Sequence, residues 1–360
     1  MRILKHFFPY WKDTRKIKLR WGNISMKRIW GKILVVFLLS VLFCRVVWAE
    51  DRNMIRIGFF PNLTHAHALV LQNLAREGKA ELFPPGLELE WKAFNAGPSA
   101  MEAIYADAVD MTYVGPSPVL NAFIRAGAEG VRVLAGATRG GAGLVVHTGS
   151  GLRVPEDFRG KRIATPQLGN TQDVACRNWL LSAGLKVTLG GGDVRVIPTA
   201  NPDQLPLFVS GHVDGVWTVE PWLSRLLGEG GELVFSEPVE SCIVTVLAVR
   251  DESLEQKSER VRQVLALHEA VNAWMLEHPE EARRRVADEL SRITRREFPL
   301  SLVEAAWPRM VFRTDISSSD FMASYVAARR AGFLKRDDNV ESLLEGIVKI
   351  GTENDGERGQ

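Results

Sequence analysis

Hydrophobic and polar positions alternate along residues 54–60, as they do in a β-strand with one buried face. A polar loop follows, and apolar residues then recur at helical spacing from Ala66 to Leu74, with Thr64 placed to cap that helix. The same order of strand, loop and helix continues along the chain. It predicts further strands at 87–94, 109–114 and 131–137. This alternation predicts an α/β fold with a parallel, doubly wound sheet.

The pattern starts again near residue 161. The strands predicted there are 161–165, 193–198 and 213–219. Arg56-Ile57 recurs as Arg162-Ile163, and Val109-Asp110 recurs as Val213-Asp214. These identities are too few to prove a duplication, but the shared order of elements predicts two similar α/β lobes. After a further strand at 244–250, the periodicity is helical to residue 350.

Residues 1–49 read as a signal peptide for export. The uninterrupted apolar stretch from Ile33 to Phe43 is too short to cross a membrane, but it fits the core of a signal peptide. Val47-Trp48-Ala49 supplies a small-x-small cleavage site. Met26 opens a compact, positively charged start, which favours translation from Met26.

Two alternatives to a cleaved signal stay open at this stage. The apolar segment could remain as an uncleaved anchor, or Cys44 could be acylated in a lipoprotein. The bulky Phe43 argues against acylation, because that processing requires a small residue before the cysteine. At the other end of the chain, residues 351–360 form a polar tail that we expect to be mobile.

Charge is distributed unevenly along the 360 residues. The whole chain has 45 Lys and Arg against 43 Asp and Glu, but residues 1–49 contain eleven of the basic residues and a single acidic one. Residues 50–360 therefore carry a net charge of −8. An acidic body argues against a nucleic-acid partner, which needs a positive surface to displace counterions.

The sequence offers little support for metal binding or catalysis. Signal cleavage would leave two cysteines, Cys176 and Cys242. A disulfide between them remains an alternative, but two buried thiols are the favoured interpretation. His65 and His67 would lie about 200° apart on a helix and would not share a metal. Walker A, GxSxG and CxxC motifs are absent from the sequence. We therefore expect no catalytic residue, no metal and no cofactor.

Candidate binding chemistry lies in five loops, each between a predicted strand and a helix. The loops are 61–65, 96–99, 115–118, 169–173 and 218–221. In open parallel sheets, ligands bind beyond the carboxyl ends of strands, where free N–H groups at helix starts favour anions. The loops are rich in Gly, Pro, Ser, Thr and Asn. Such N–H groups could bind a sulfonate, phosphonate or nitrate group without a Lys or Arg side chain.

Three further residues stand out beside these loops. Arg139, ahead of Gly140, could pair with an anion or could lie on the surface of a hinge. Glu220 could accept hydrogen bonds from an amine on the ligand or from the neighbouring backbone. Trp217 could cover an alkyl or ring portion of a ligand, although a tryptophan in a strand is more often part of the core.

The chain resembles the solute-binding proteins of ABC importers. Among these proteins it is similar to the nitrate/sulfonate/taurine/bicarbonate group. The resemblance rests on segments in a shared order: 55–61, 96–99, 109–118, 154–164, 166–173 and 213–222. The segment Asp157-Phe158-Arg159-Gly160-Lys161 resembles the opening of that family's second lobe. Residues 166–173 resemble its ligand-contacting loop, and Glu220-Pro221-Trp222 resembles its acid–Pro–aromatic loop. Together these segments indicate the broad family without naming one ligand.

The resemblance implies a type II periplasmic-binding-protein-like fold, with two doubly wound lobes joined by a two-crossover hinge. Lobe 1 would comprise residues 54–141 and 243–350, and lobe 2 residues 142–242. The ligand would bind in the cleft between them. With the residues singled out above, the candidate ligand-binding residues are Asn62, Thr64, His65, Ser99, Gly115, Pro116, Ser117, Arg139, Gly140, Asn170, Thr171, Gln172, Trp217 and Glu220.

The predicted function is therefore that of a periplasmic binding protein, and not an enzyme. It would capture a small oxyanion-bearing ligand, an aliphatic sulfonate or taurine-like molecule or nitrate, as a monomer. It would then dock on a membrane permease driven by an ATPase. One alternative ligand is a thiamine-pyrimidine-like or other heterocycle stacked on Trp217 or Tyr113. An enzyme on the same fold is a further alternative, but it would need a cofactor lysine and a cysteine-rich cluster.

Overall fold

The computed structural model describes residues 53–79, 82–239, 242–335 and 339–349. The predicted signal segment 1–49 and the polar tail 351–360 lie outside the described residues. None of the helices in the described ranges combines the length and hydropathy that a bilayer-spanning segment needs.

The described residues form strands and helices in alternation over most of their length. The strands are β1 (Met54–Phe59), β2 (Glu88–Ala93), β3 (Met111–Val114), β4 (Val131–Gly140), β5 (Ala142–His147), β6 (Arg162–Thr165), β7 (Val187–Thr188), β8 (Gly191–Gly192), β9 (Arg195–Pro198), β10 (Gly215–Val219), β11 (Gly231–Ser236), β12 (Ile243–Arg250) and β13 (Met310–Phe312). The helices are Ala66–Arg76, Gly97–Tyr105, Pro116–Arg125, Thr171–Ser182, Asn201–Val209, Trp222–Gly228, Asp251–Gln256, Ser258–Glu277, Pro279–Thr294, Leu300–Ala306, Met322–Arg330 and Val340–Ile347.

Two larger sheets divide these strands. The first has the order β13-β4-β12-β3-β1-β2, and the second has the order β11-β5-β10-β6-β9. We call the first sheet with its helices lobe 1 and the second sheet with its helices lobe 2. The chain leaves lobe 1 after β4 and returns to it with β12, so it passes twice between the lobes.

Both sheets are mixed, whereas the sequence predicted parallel ones. The pairs β1–β2, β1–β3, β6–β9 and β6–β10 are parallel. However, β12 runs antiparallel to β3 and β4 because it enters lobe 1 from the other lobe. The short strand β13 also pairs antiparallel with β4. Its three residues are too few to show an alternating pattern, which is why the sequence predicted only helix in this region.

Each lobe contains the same Arg–Asp interaction between its first and third parallel strands. In lobe 1, the Arg56 backbone N–H donates to Asp110 Oδ2 at 2.8 Å, and the Asp110 N–H donates back to the Arg56 carbonyl at 2.9 Å. In lobe 2, Arg162 and Asp214 form the same two bonds at 2.9 and 2.8 Å. The identities at Arg56/Arg162 and Asp110/Asp214 therefore have a shared structural cause, because each pair fixes the register of neighbouring strands.

The first passage between the lobes depends on two glycines. Gly140 and Gly141 both have positive φ, 69° and 70°, a conformation that favours glycine. A Cβ on Gly140 would also lie 2.7 Å from the Arg309 carbonyl oxygen. The backbone can therefore turn sharply from β4 into β5 while β13 packs against it. This turn places the carboxyl ends of the parallel strands of both lobes on facing sides of one cleft.

Replacing the aspartate of the Arg–Asp interaction should destabilise the protein more in lobe 1 than in lobe 2. Asp110 is fully buried, and it accepts hydrogen bonds from Arg56, Ser253 and Lys257. Burial by itself would raise the pKa of Asp110, but the Arg56 and Lys257 cations hold it well below its usual range. We expect Asp110→Asn to lower the free energy of unfolding by about 3–5 kcal/mol, because it leaves the largely buried Lys257 cation without its anion and leaves Arg56 paired with the exposed Asp107 alone.

Asp214→Asn is the matched control. Its side chain is 23% exposed, so water can replace the lost charge, and we expect a loss of about 1 kcal/mol or less. Urea denaturation followed by circular dichroism measures both values. Equal losses for the two variants would contradict this account of lobe 1.

Candidate functional site

A small polar cavity of about 20 Å³ lies between the two lobes. It sits beyond the carboxyl ends of β1, β2, β6, β9 and β10, with the start of β12 completing its wall. Its lining residues come from both lobes: Phe60, Asn62, Thr64, His65, Asn95, Ala96, Val244 and Thr245 from lobe 1, and Pro166, Asn170, Gln172, Asn201 and Val219 from lobe 2. This is the position where open α/β sheets bind ligands.

The loop after β1 presents an amide donor to the cavity. Asn62 is extended, with φ −144°, and a short 3₁₀ turn, Leu63–His65, follows it. The Thr64 hydroxyl donates to Asn62 Oδ1 at 2.8 Å, which fixes the orientation of the amide. Because Oδ1 is already an acceptor, the NH₂ group of Asn62 remains available as a donor.

His65 is a neutral donor at the same wall. The Phe60 backbone N–H donates to His65 Nδ1 at 3.2 Å, and the two rings lie 4.3 Å apart. Burial lowers the pKa of His65 to about 3, helped by the nearby His67. The imidazole therefore carries no charge at neutral pH. Because Nδ1 accepts a hydrogen bond, the single ring proton resides on Nε2.

On the lobe 2 side, a chain of hydrogen bonds orients Gln172. Asn170 caps the helix Thr171–Ser182, with its Oδ1 accepting the Asp173 N–H at 2.8 Å. The Asn170 NH₂ group donates to Gln172 Oε1 at 3.1 Å. Buried Asp173 holds the same loop by accepting the Gly169 N–H and the Arg177 side chain. The NH₂ group of Gln172, which lines the cavity, is left at the end of this chain of hydrogen bonds.

Two buried polar atoms at the cavity have no partner among the described residues. They are Nε2 of Gln172 in lobe 2 and Oγ1 of Thr245 in lobe 1. A buried polar group without a hydrogen bond costs roughly 1–3 kcal/mol, so such groups call for a functional explanation. With His65 neutral, every lining side chain is uncharged. The cavity thus offers neutral hydrogen-bond donors from both lobes.

Arg139 and Glu220 are both charged, and they are engaged elsewhere. Arg139 is buried in lobe 1 and donates to Asp320 Oδ1 at 2.9 Å. Glu220 is buried in lobe 2, where it accepts hydrogen bonds from Ser224 and forms an ion pair with Arg309 at 2.6 Å. Neither residue lines the cavity. Glu220 therefore pairs with a cation of the other lobe, Arg309, and does not line the cavity in which an amine of the ligand would lie.

The two aromatic residues considered for stacking also lie away from the cavity. Trp217 is buried in the core of lobe 2, and its indole N–H donates to Glu237 Oε1 at 3.1 Å. Tyr113 is buried in the core of lobe 1, where its hydroxyl bonds His268 Nδ1 at 3.1 Å. Both rings thus have structural partners.

The remaining predicted residues do not line the cavity, and Ser99, Gly115 and Thr171 lie where the two lobes meet. A Cβ on Gly115 would come within 2.2 Å of Thr171 Oγ1, so the absence of a side chain lets the lobes meet there. Ser99 reaches across to Gln167 Oε1 at 3.4 Å. Pro116 and buried Ser117 open the helix Pro116–Arg125, and Gly140 belongs to the turn between the lobes.

Sequence reasoning missed several lining residues. Asn95 directly precedes the predicted loop 96–99, and Asn201 follows the predicted strand 193–198 outside the five candidate loops. Thr245 lies inside β12, where alternation predicts a strand but gives no sign that the strand begins at a cleft. No local signal in the sequence indicates Thr245, because only the return of the chain from lobe 2 brings β12 to the cleft.

Within the described ranges, no three His, Cys, Asp or Glu side chains gather closely enough to hold a metal ion. Cys176 is buried in lobe 2, and Cys242 contacts Glu237 in the second passage between the lobes. Both thiols are free.

A family model described as the NMT1-like family matches residues 49–291. The chain belongs to the NMT1-like family. Sequence relatives include the "Putative aliphatic sulfonates-binding protein" of Bacillus subtilis (strain 168), 28% identical over 55% of this chain and 58% of the relative. The taurine-binding periplasmic protein of Escherichia coli (strain K12) is 28% identical over 43% of this chain and 46% of the relative. The chain thus spans about half the length of each of these two relatives.

Solved structures confirm the fold. The alkanesulfonate-binding protein of Xanthomonas axonopodis pv. citri, bound to MOPS, superposes with a TM-score of 0.67 at 19% identity, covering 83% of this chain and 99% of that chain. The nitrate-binding protein of Synechocystis PCC 6803 gives a TM-score of 0.68 at 13% identity, covering 82% and 86%. This NMT1-like chain therefore has the periplasmic binding protein fold, and the resemblance to the sulfonate, taurine and nitrate group is confirmed.

Three buried histidines predict a steep loss of stability in mild acid. Burial lowers the pKa of His65 to about 3, that of His67 to about 4, and that of His268 well below its usual value. Below the unfolded-state pKa of about 6.5, the unfolded chain binds protons that the folded chain does not. Stability is therefore complete above pH 6.5 and falls with pH, by about 4 kcal/mol per unit between pH 6 and pH 5.

Urea denaturation at stepped pH measures this slope. His65→Gln should reduce it to about 3 kcal/mol per unit, because one of the three protons is removed. His212→Gln, at an exposed histidine, is the control and should leave the slope unchanged. A slope near zero in the unmodified protein would show that the histidines are protonated in the folded state.

The ion pair between Glu220 of lobe 2 and Arg309 of lobe 1 is expected to stabilise the contact between the lobes. Glu220→Gln should lower the free energy of unfolding by about 1.5–3 kcal/mol, because the buried carboxylate accepts charged hydrogen bonds. The control is Glu232→Gln, which disrupts the half-exposed pair with Arg153. We expect a loss below about 1 kcal/mol there. Thermal unfolding measures both, and a neutral Glu220→Gln would refute the coupling.

Proposed function

We propose that this chain is the periplasmic solute-binding component of an ABC importer. It captures a small oxyanion-bearing ligand between its lobes, an aliphatic sulfonate or taurine-like molecule or nitrate, and delivers it to a membrane permease powered by an ATPase. Export by the predicted signal places it in the periplasm, where it acts as a monomer.

The observation that carries the proposal is the pair of unpartnered donors, Gln172 Nε2 and Thr245 Oγ1, at one cavity. They belong to different lobes, so one ligand with several acceptor oxygens satisfies both only when the lobes are together. A sulfonate has three such oxygens, and hydrogen bonds to a charged acceptor are about twice as strong as neutral ones. His65 and Asn62 add further neutral donors.

The N-terminal ends of three helices add positive electrostatic potential at the cavity. Ala96 precedes the helix Gly97–Tyr105, Asn170 precedes Thr171–Ser182, and Asn201 opens Asn201–Val209. All three residues line the cavity. The N-terminal end of a helix carries a partial positive charge and stabilises an anion close to it. The site thus attracts an anion although residues 50–360 carry a net charge of −8.

Ligand entry requires the lobes to move. A cavity of about 20 Å³ has room for about one water molecule, which is less than a sulfonate group needs. The glycines at 140 and 141 and the two passages between the lobes supply a place to bend. Closure around the ligand gives the permease a surface that differs from that of the open form.

Names of relatives favour the same class of ligand. The matched relatives are named for sulfonates and taurine, and the structural neighbours for alkanesulfonate and nitrate. A stacked heterocycle is less well supported, because Trp217 and Tyr113 are buried in the two cores. A binding role rather than a catalytic one is consistent with a cavity lined by uncharged side chains.

Thermal shift and calorimetry with methanesulfonate, taurine, nitrate and methylphosphonate test the proposal. A binding ligand at a hundredfold excess over its Kd should add about 2.7 kcal/mol to the free energy of unfolding. Thr245→Val should weaken that ligand by about ten- to hundredfold, because it removes one hydrogen bond to a charged group. The free protein should lose no stability, since the hydroxyl has no partner.

Thr188→Val makes the same chemical change on an exposed hairpin of lobe 2 and should not alter binding. If all four ligands leave the protein's stability unchanged, the proposed function is wrong. If a ligand binds and Thr245→Val has no effect on it, the ligand occupies some other site.

A further inference from the structure

A second pocket, of about 430 Å³, lies within lobe 1 and shares no lining residue with the polar cavity. It is bordered by the helices Ala66–Arg76 and Pro279–Thr294, by β2 and by the residues just before β2. We call it the lateral pocket. Ligand pockets in proteins typically have about 300–1,000 Å³, so this one is large enough to hold a small molecule.

Part of the lateral pocket has an apolar wall. Four side chains that are only partly buried against the core of lobe 1 form it: Phe83, Leu87, Leu89 and Trp91. A ligand with an apolar body would cover the surface that these side chains leave exposed, and so remove apolar area from water. The wall therefore favours an apolar ligand or an apolar part of a larger one.

A fully buried carboxylate, that of Glu289, also lines the lateral pocket. Its Oε1 accepts a hydrogen bond from Arg292 Nε at 2.7 Å and lies 2.6 Å from Arg292 Nη2. Its Oε2 accepts no hydrogen bond from the described residues. A buried oxygen in this situation destabilises the protein unless a donor reaches it. The pocket therefore favours a ligand that carries an N–H group.

Two cations lie beside the same carboxylate. Arg76 Nε is 3.5 Å from Glu289 Oε2, and Arg292 pairs with Oε1. The side chains of Arg76 and Arg292 are 47% and 50% exposed, so a ligand can reach both guanidinium groups. Two guanidinium groups and one carboxylate give this part of the pocket a net charge of +1.

These charges disfavour ligands with a single charged group. An amine without an acid would add a third cation beside Arg76 and Arg292. A carboxylate without an amine would leave Glu289 Oε2 without a donor and place a second anion next to it. A zwitterion avoids both problems, because its ammonium group donates to Oε2 while its carboxylate pairs with a guanidinium group. In an α-amino acid both groups are attached to one carbon, which suits the 3.5 Å between Oε2 and Arg76 Nε.

We propose that the lateral pocket is a second binding site of this protein, for an α-amino acid with an apolar side chain. The ammonium group donates to Glu289 Oε2, the carboxylate pairs with Arg76, and the apolar side chain packs on the wall that includes Trp91. Lobe 1 alone forms the site, so binding there requires neither closure of the lobes nor a ligand in the cleft.

A set of related compounds tests each part of the ligand. Calorimetry with the protein purified after export should show binding of leucine and phenylalanine. Compared with leucine, 3-methylbutylamine lacks the carboxylate and 4-methylpentanoate lacks the amine, and each should bind at least about tenfold more weakly because it loses a charge-assisted hydrogen bond. Alanine should bind roughly fiftyfold more weakly, at about fourfold for each of the three carbons missing from the apolar wall. Failure of both leucine and phenylalanine to bind would overturn the proposal.

Two substitutions at exposed positions locate the site. Ala75→Trp fills the pocket and Arg76→Gln removes the partner of the carboxylate, so each should weaken leucine by at least about tenfold. Val209→Trp and Arg284→Gln make the same changes at exposed positions outside the pocket, and should alter the Kd by less than twofold. If leucine binds equally well to all four variants, it occupies another site and the proposal is wrong.

Glu289→Gln distinguishes a ligand contact from a purely structural role. Leucine should bind at least about tenfold more weakly to this variant, because the anion that pairs with its ammonium group is gone. By contrast, 4-methylpentanoate should bind more tightly than it does to the unmodified protein, because its carboxylate no longer lies beside an anion. Equal changes for the two compounds would refute the contact between the amine and Glu289.

Competition separates this inference from the proposed function. Leucine should bind with the same Kd in the presence and in the absence of saturating methanesulfonate, taurine or nitrate, because the lateral pocket and the polar cavity share no residue. Displacement of leucine by one of these anions would place leucine in the cleft and refute the second site. If none of the anions binds but leucine does, the proposed function fails and the second site stands.

Discussion

Buried polar groups need hydrogen-bond partners, and at the junction of the two lobes the chain supplies only some of them. Gln172 Nε2 and Thr245 Oγ1 line one small cavity without a partner, although Asn170 orients the Gln172 amide and Thr245 lies within β12. Such groups destabilise the closed arrangement unless something else bonds to them. A ligand that does so joins the lobes, and for this reason binding and closure become one event in the mechanism that we propose.

The charged residues named above form structural ion pairs in this protein, whereas the candidate site is lined by neutral hydrogen-bond donors. Asp110 fixes strand register in lobe 1, Arg139 pairs with Asp320, and Glu220 pairs with Arg309 across the lobes. At the cavity, burial keeps the pKa of His65 so low that even this residue is neutral. An anion held by neutral donors and helix starts avoids the cost of burying a cation and needs no compensating proton.

The fold and several of the loops that line the cavity could be predicted from the sequence. Strand–loop–helix order is a local property, and it located the loops of Asn62, His65, Asn170 and Gln172 at the carboxyl ends of strands. Arg139 and Glu220 were harder to interpret, because their partners Asp320 and Arg309 are far away in sequence. Thr245 could not be found for a related reason: only the return of β12 from lobe 2 brings it to the cleft.

Anomalous diffraction from crystals grown with 2-bromoethanesulfonate tests the central claim most directly, because bromine can be located without bias. The account predicts one bromine position between the lobes, with the sulfonate oxygens bonded to Gln172 and Thr245. Bromine found only on the outer surface would contradict it, as would its absence from the cleft at concentrations that saturate binding in solution.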